Sequence, residues 1–176
     1  MRRIKINRAD LELAFQLSGY EANAYLERET GAVMIIAAET VSQLDNLAAD
    51  AETLDEMLAA LDAEPHLSNE DRQQLIEAAQ VEWDNQNRYL LIPKQDAREA
   101  YCEMEDFIYT VKNMRLREQL EIAIDGKGAF RRFKDTLARH PEIERQWFEF
   151  SDQRLQQRLL SWLADEEIEP EFIDAP

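Results

Sequence analysis

The stretch Ala22-Asn23-Ala24-Tyr25-Leu26-Glu27-Arg28-Glu29-Thr30-Gly31-Ala32-Val33-Met34-Ile35-Ile36 decides the fold class. Residues 22–27 and 32–36 flank Arg28-Glu29-Thr30-Gly31, a link whose glycine can take positive φ, so the segment reads as a β-hairpin. The unbroken apolar run of Val33, Met34, Ile35 and Ile36 predicts a strand covered on both faces. Further on, Arg88-Tyr89-Leu90-Leu91-Ile92 ahead of Pro93 reads as a third strand.

Around these strands the spacing of apolar residues is helical. Asn7 caps a short helix carrying Leu11, Ala14 and Phe15, which Ser18-Gly19 ends. Over 40–61, Val41, Leu44 and Leu47, then Leu54, Met57, Leu58 and Leu61, recur at three- and four-residue steps. Pro65-His66-Leu67-Ser68-Asn69 reads as a break followed by a cap, and a helix resumes over 70–81. After Pro93 the chain reads as wholly helical, with Tyr101, Met104, Ile108 and Val111 on one face. Asn113 caps a second helix that buries Leu116, Leu120, Ala123 and Ile124, and Asp125-Gly126 stops it. A third helix starts near Gly128 with Phe130, Phe133 and Leu137, and His140-Pro141 closes it. The five-residue step from Phe150 to Leu155 predicts a boundary or kink at Ser151-Asp152, and the acidic tail over 165–176 is expected to fray. The expectation is an α+β fold, a small antiparallel sheet of three strands with a mostly helical C-terminal half. Residues 1–176 are read as a single domain, with 38–82 a candidate acidic helical insertion.

The charge is segregated along the chain. Acidic residues outnumber basic ones by 37 to 20, for a net charge of −17, and that field argues against general nucleic-acid binding. Residues 38–110 hold 18 acids against four bases, whereas residues 111–145 reverse to nine bases against six acids. With Cys102 as its one cysteine, the sequence can form neither an intrachain disulfide nor a cysteine zinc cluster. The start Met1-Arg2-Arg3-Ile4-Lys5 lacks the apolar run of a signal peptide, and the longest apolar run, over 32–38, is far too short to span a bilayer. A cytoplasmic protein without a membrane partner is expected.

Three patches resemble the bacterial uncharacterised protein family 0158. They are 24–31, then Gly126-Lys127-Gly128-Ala129-Phe130-Arg131-Arg132-Phe133-Lys134-Asp135, and Trp147-Phe148-Glu149-Phe150 with Trp162-Leu163. The helix around Ala100-Tyr101-Cys102-Glu103-Met104 resembles the family's helix ahead of the glycine motif, and residues 38–82 match none of the family's patches. The resemblance supports the fold and implies no activity, cofactor or catalytic residue.

The glycine motif admits two readings. Open backbone N–H groups at a helix start, with Lys127, Gly128, Arg131 and Arg132 around them, suit a small anion such as a phosphate-bearing metabolite or a nucleic-acid phosphate. In the plainer reading Gly126 is a left-handed cap, Gly128 permits a tight turn and the cations pair with the chain's own carboxylates. No hydroxyl follows the lysine, so the motif is not a Walker-type phosphate loop. Glu99, Glu103 and Asp106 share a helical face opposite the core and are expected to be solvated. His66 and His140 sit in Pro-flanked breaks, Cys102 stands among acids, and Trp83, Trp147 and Trp162 have core-like neighbours. No catalytic residue, metal ligand set or cofactor is assigned. The functional expectation is a non-enzymatic acidic module that engages a basic protein through Asp45, Asp50, Asp55 and Glu56.

Overall fold

A computed structural model describes residues 1–19, 22–47 and 50–173. The elements run β1 (Arg2–Asn7), α1 (Arg8–Leu17), β2 (Ala22–Glu27), β3 (Val33–Ala37), α2 (Ala38–Leu47), α3 (Leu54–Ala63), α4 (Asn69–Glu82) and β4 (Tyr89–Leu91). There follow α5 (Ala97–Thr110), α6 (Met114–Ile124), α7 (Ala129–Leu137), α8 (Pro141–Asp165) and β5 (Ile168–Ile173). The fold is α+β, as the sequence leads one to expect. The chain forms two compact units, Met1–Lys94 together with the stretch from Leu163 onward, and Gln95–Trp162.

In the first unit the hairpin forms where its residues predict. β2 is central in an antiparallel sheet of order β3-β2-β4, with Tyr25 opposite both Met34 and Leu91. β3 is therefore an edge strand, and only Ile36 along it is buried while Ile35 stays 40% exposed. The expected two-sided coverage of 33–36 does not occur, because an apolar run states hydrophobicity without stating how many layers are available to cover it. Ile36 joins Leu44, Met57, Leu61, Leu75 and Ala79 in a core built from β3, α2, α3 and α4, with Trp83 packed against it. Side-chain caps start the helices as read: Asn7 accepts from the Asp10 N–H at 3.3 Å, and Ser68 accepts from the Asp71 N–H at 3.0 Å.

A second sheet corrects the reading of both chain ends. β1 and β5 pair in parallel, with Ile4 opposite Pro170 and Ile6 opposite Phe172. Ile4, Ile6 and Ile168 are buried while Arg3, Lys5 and Glu169 point outward. The tail through Ile173 is thus a strand and does not fray; the rest of the expected frayed end, 174–176, lies outside the described residues. Its backbone N–H and carbonyl groups find partners on β1, which its own composition cannot reveal.

In the second unit Met104, Phe107, Ile108, Leu116, Leu120, Phe133 and Leu137 form the core, with Trp147 and Phe150 packed against it. Trp147 meets Phe107 at 5.2 Å and Phe133 at 4.9 Å, both edge-on, contacts each worth about 1 kcal/mol beyond area burial. The boundary expected at Ser151-Asp152 does not occur, since α8 runs unbroken from Pro141 to Asp165. Five residues turn a helix by about 140° beyond a full revolution, so the step marks a change of buried face within one helix.

A further correction concerns Glu103, while Glu99 and Asp106 are exposed as expected. Glu103 is buried, and its carboxylate accepts from Gln95 Nε2 at 2.7 Å and Arg158 Nη1 at 2.9 Å. Asp106 is bonded to Arg154 at 2.7 Å, and Glu99 completes a capping box with Asp96. α8 brings Arg154 and Arg158, one helical turn apart, to meet Asp106 and Glu103, and of the two acids Glu103 alone is buried.

Candidate functional site

The glycine corner is assembled by the end of α6 and the start of α7. Gly126 and Gly128 take φ of 72° and 82°, and Gly128 is the N-cap of α7 with no side-chain hydrogen bond to the helix start. Arg132 turns back into the corner. Its Nε donates to the Ala123 carbonyl at 2.9 Å, Nη1 donates to the Lys127 carbonyl and Nη2 to the Asp125 carbonyl. One guanidinium therefore satisfies three carbonyls at and beyond the C-terminus of α6, where the helix dipole favours a cation. Arg131 is exposed and lies 3.8 Å from Asp135, one turn along α7, and Lys127 is exposed. The structure gathers Lys127, Gly128, Arg131 and Arg132 in one corner but engages Arg132 with the backbone.

The second set of residues lies in the first unit. Asp45 is on α2, Asp50 precedes α3, and Asp55 and Glu56 occupy the first turn of α3; all four are exposed. The Glu56 carboxylate accepts from the Glu52 N–H at 2.9 Å, while the Glu56 N–H donates to the capping Thr53 hydroxyl at 3.3 Å. Asp55 and Glu56 thus also stabilise the positive end of α3. Among the described residues no ion pair neutralises Asp45, Asp50, Asp55 or Glu56.

Glu27 is a polar residue that the reading of the hairpin did not single out. Only 3% exposed, it accepts from the Glu29 N–H at 3.0 Å, the Thr30 N–H at 2.6 Å, the Thr30 hydroxyl and Arg88 Nε at 2.7 Å. Burial pushes its carboxyl up, but the Thr30 hydroxyl, the Arg88 guanidinium and the two N–H groups outweigh it and hold the pKa at about 2. The sequence signal was Glu-x-x-Thr at the turn, which lets a carboxylate close back on its own loop.

At the end of the hairpin away from this turn, the first unit has a half-open pocket of about 360 Å³ between its three-stranded sheet and helices α2 and α4. Tyr25, Ile36, Val41 and Val81 line it, with Glu82 and Lys94 supplying charge. The Tyr25 phenol is pushed up by burial and by the Glu82 carboxylate, and so stays protonated and able to donate a hydrogen bond. Among the described residues no group of three or more His, Cys, Asp or Glu has the arrangement to hold a metal ion. No described helix is long and apolar enough to cross a membrane.

Residues 65–175 match the model of the Uncharacterised protein family (UPF0158). The chain belongs to this family. The matched range takes in the glycine corner, the tryptophan patch and α5, while 24–31 lies ahead of it. The chain is also 28% identical over 165 residues to the UPF0158 protein PA5073 of Pseudomonas aeruginosa, covering 94% of this chain and 86% of that protein. No solved structure matches it. Within this UPF0158 chain, the conspicuous glycine motif is a joint between α6 and α7 tied by Arg132, and its other three cations, Lys127, Arg131 and Lys134, remain outward.

Proposed function

We propose that this chain is a non-enzymatic acidic module that docks a basic surface of another protein. The observation that supports the reading is charge left unneutralised by the fold. Of the four cations in residues 38–110, Arg72 is drawn to Asp62 at 3.6 Å and to the Glu64 carbonyl, and Arg88 to Glu27. The outward carboxylates of α2 and α3 keep their field, which speeds encounter with a cationic partner and weakens with salt. The alternative, a phosphate-bearing ligand at the glycine corner, has less support because Arg132 already donates to three carbonyls.

The test is affinity capture with the full chain across a salt series, beside a variant carrying Asp45→Asn, Asp50→Asn, Asp55→Asn and Glu56→Gln. Enrichment of a basic protein that is lost with salt and in the variant supports the reading. A captured set indifferent to both changes ends it.

A further inference from the structure

The second unit carries an open groove of about 550 Å³ between α5 and α6. Its α5 wall is Tyr101, Glu105, Ile108 and Tyr109, at steps of four, three and one, a single stripe of that helix. The α6 wall presents Glu118, Glu121, Ile122 and Asp125, again one stripe. Two properties set the groove apart from an ordinary solvated surface. Ile122 and Tyr109 stand 73% and 69% exposed in it, which leaves apolar area in water. Around them the walls carry four carboxylates, and among the described residues only Glu121 has an ion-pair partner, Arg117 at 3.0 Å. The same Arg117 lies over the Tyr109 ring at 4.8 Å. The chain's own arginine thus already uses the recognition the groove offers, a cation against an aromatic face with a carboxylate beside it.

The geometry points to this α5–α6 groove as the docking surface for a basic amphipathic helix of a partner protein. Apolar residues of such a helix cover Ile122 and the open part of the Tyr109 ring, while flanking lysines or arginines meet Glu105, Glu118 and Asp125. Charge complementarity selects this occupant, because a neutral helix would leave three carboxylates without partners and an acidic one would meet them with like charge. The inference rests on the proposal that the partner is basic, and adds a second docking surface, separate from the α2 and α3 carboxylates, for one helical segment of that partner; a peptide of that segment alone reads the groove and not the α2–α3 contact.

Fluorescence anisotropy tests it with the full chain and a synthetic helical peptide bearing lysines on one face and leucines on the other. A second peptide keeps the lysines and replaces the leucines with serine. The groove variant is Ile122→Ser with Glu118→Lys, both exposed positions, and the comparison variant neutralises Asp45, Asp50, Asp55 and Glu56. The expected result is a loss of about tenfold or more in affinity for the groove variant and for the leucine-free peptide, with the comparison variant close to wild type. Equal binding of the two peptides overturns the groove. So does a loss confined to the comparison variant, although that result leaves the basic-partner reading standing. Binding of neither peptide also overturns the groove, while the salt-series capture decides the basic-partner reading separately.

Discussion

The Glu27 carboxylate of β2 and the Arg88 guanidinium just ahead of β4 meet at 2.7 Å beside the hairpin turn, with Glu27 buried and Arg88 half in solvent. Three further donors from the turn converge on the same carboxylate, so the charge belongs to the folded state. Its pKa of about 2 lies below the ordinary 4.5, and a group depressed on folding contributes stability above its unfolded pKa. That contribution, about 3 kcal/mol, is expected to disappear as pH falls from 4.5 toward 2. Glu27→Gln should lower stability at neutral pH by about 2 kcal/mol and flatten this acid limb. Asp84 retains part of the slope, since the N–H groups of Tyr89, Gln86 and Arg88 outweigh its burial and lower its pKa too. Urea titrations at a series of pH values check it, and an unchanged acid limb in the variant refutes the assignment.

Two glycines with similar backbone angles should respond differently to alanine. Gly31 has φ of 76°, and a Cβ there would lie 2.0 Å from the Lys5 carbonyl oxygen on β1, an atom that cannot step aside. Gly126 has φ of 72° with nothing within 4 Å. Gly31→Ala is expected to cost about 3 kcal/mol or more, and Gly126→Ala about 1 kcal/mol from backbone strain alone. Thermal melts of the two variants separate the clash from the strain.

Arg131 and Arg132 are adjacent but should not be equivalent. Arg132→Ala leaves the carbonyls of Ala123, Asp125 and Lys127 without their shared donor, a loss of about 2 kcal/mol. Arg131→Ala removes an exposed contact to Asp135 and should change stability by less than about 0.5 kcal/mol. Hydrogen exchange at the end of α6 should quicken only in the Arg132 variant. Equal effects would show that the guanidinium does not organise the joint.

Glu103 and Arg158 form the buried counterpart of this arrangement. One Glu103 oxygen accepts from Gln95 and Arg158, while its Oε1 is buried with no hydrogen-bond partner. Arg158→Met leaves a buried carboxylate without its cation and is expected to cost about 3 kcal/mol. The double variant Glu103→Leu with Arg158→Met should recover much of that loss, because it removes the stranded charge as well. Denaturant unfolding of the double-mutant cycle measures the coupling, and simple additivity would refute it.

Local features were legible in the residues themselves. Gly31 marked the hairpin, Asn7, Ser68 and Asn113 capped their helices, and Asp125-Gly126 ended α6, because each depends on backbone angles and hydrogen bonds within a few residues. Of the candidate sites, the residue composition of the glycine corner was visible, but not the backward turn of Arg132 onto three carbonyls. The parallel pairing of β1 with β5, the edge position of β3, the uninterrupted α8 and the burial of Glu103 were decided by tertiary structure. Each depends on a partner many residues distant, and periodicity along a chain says which face of an element is apolar without saying which element covers it.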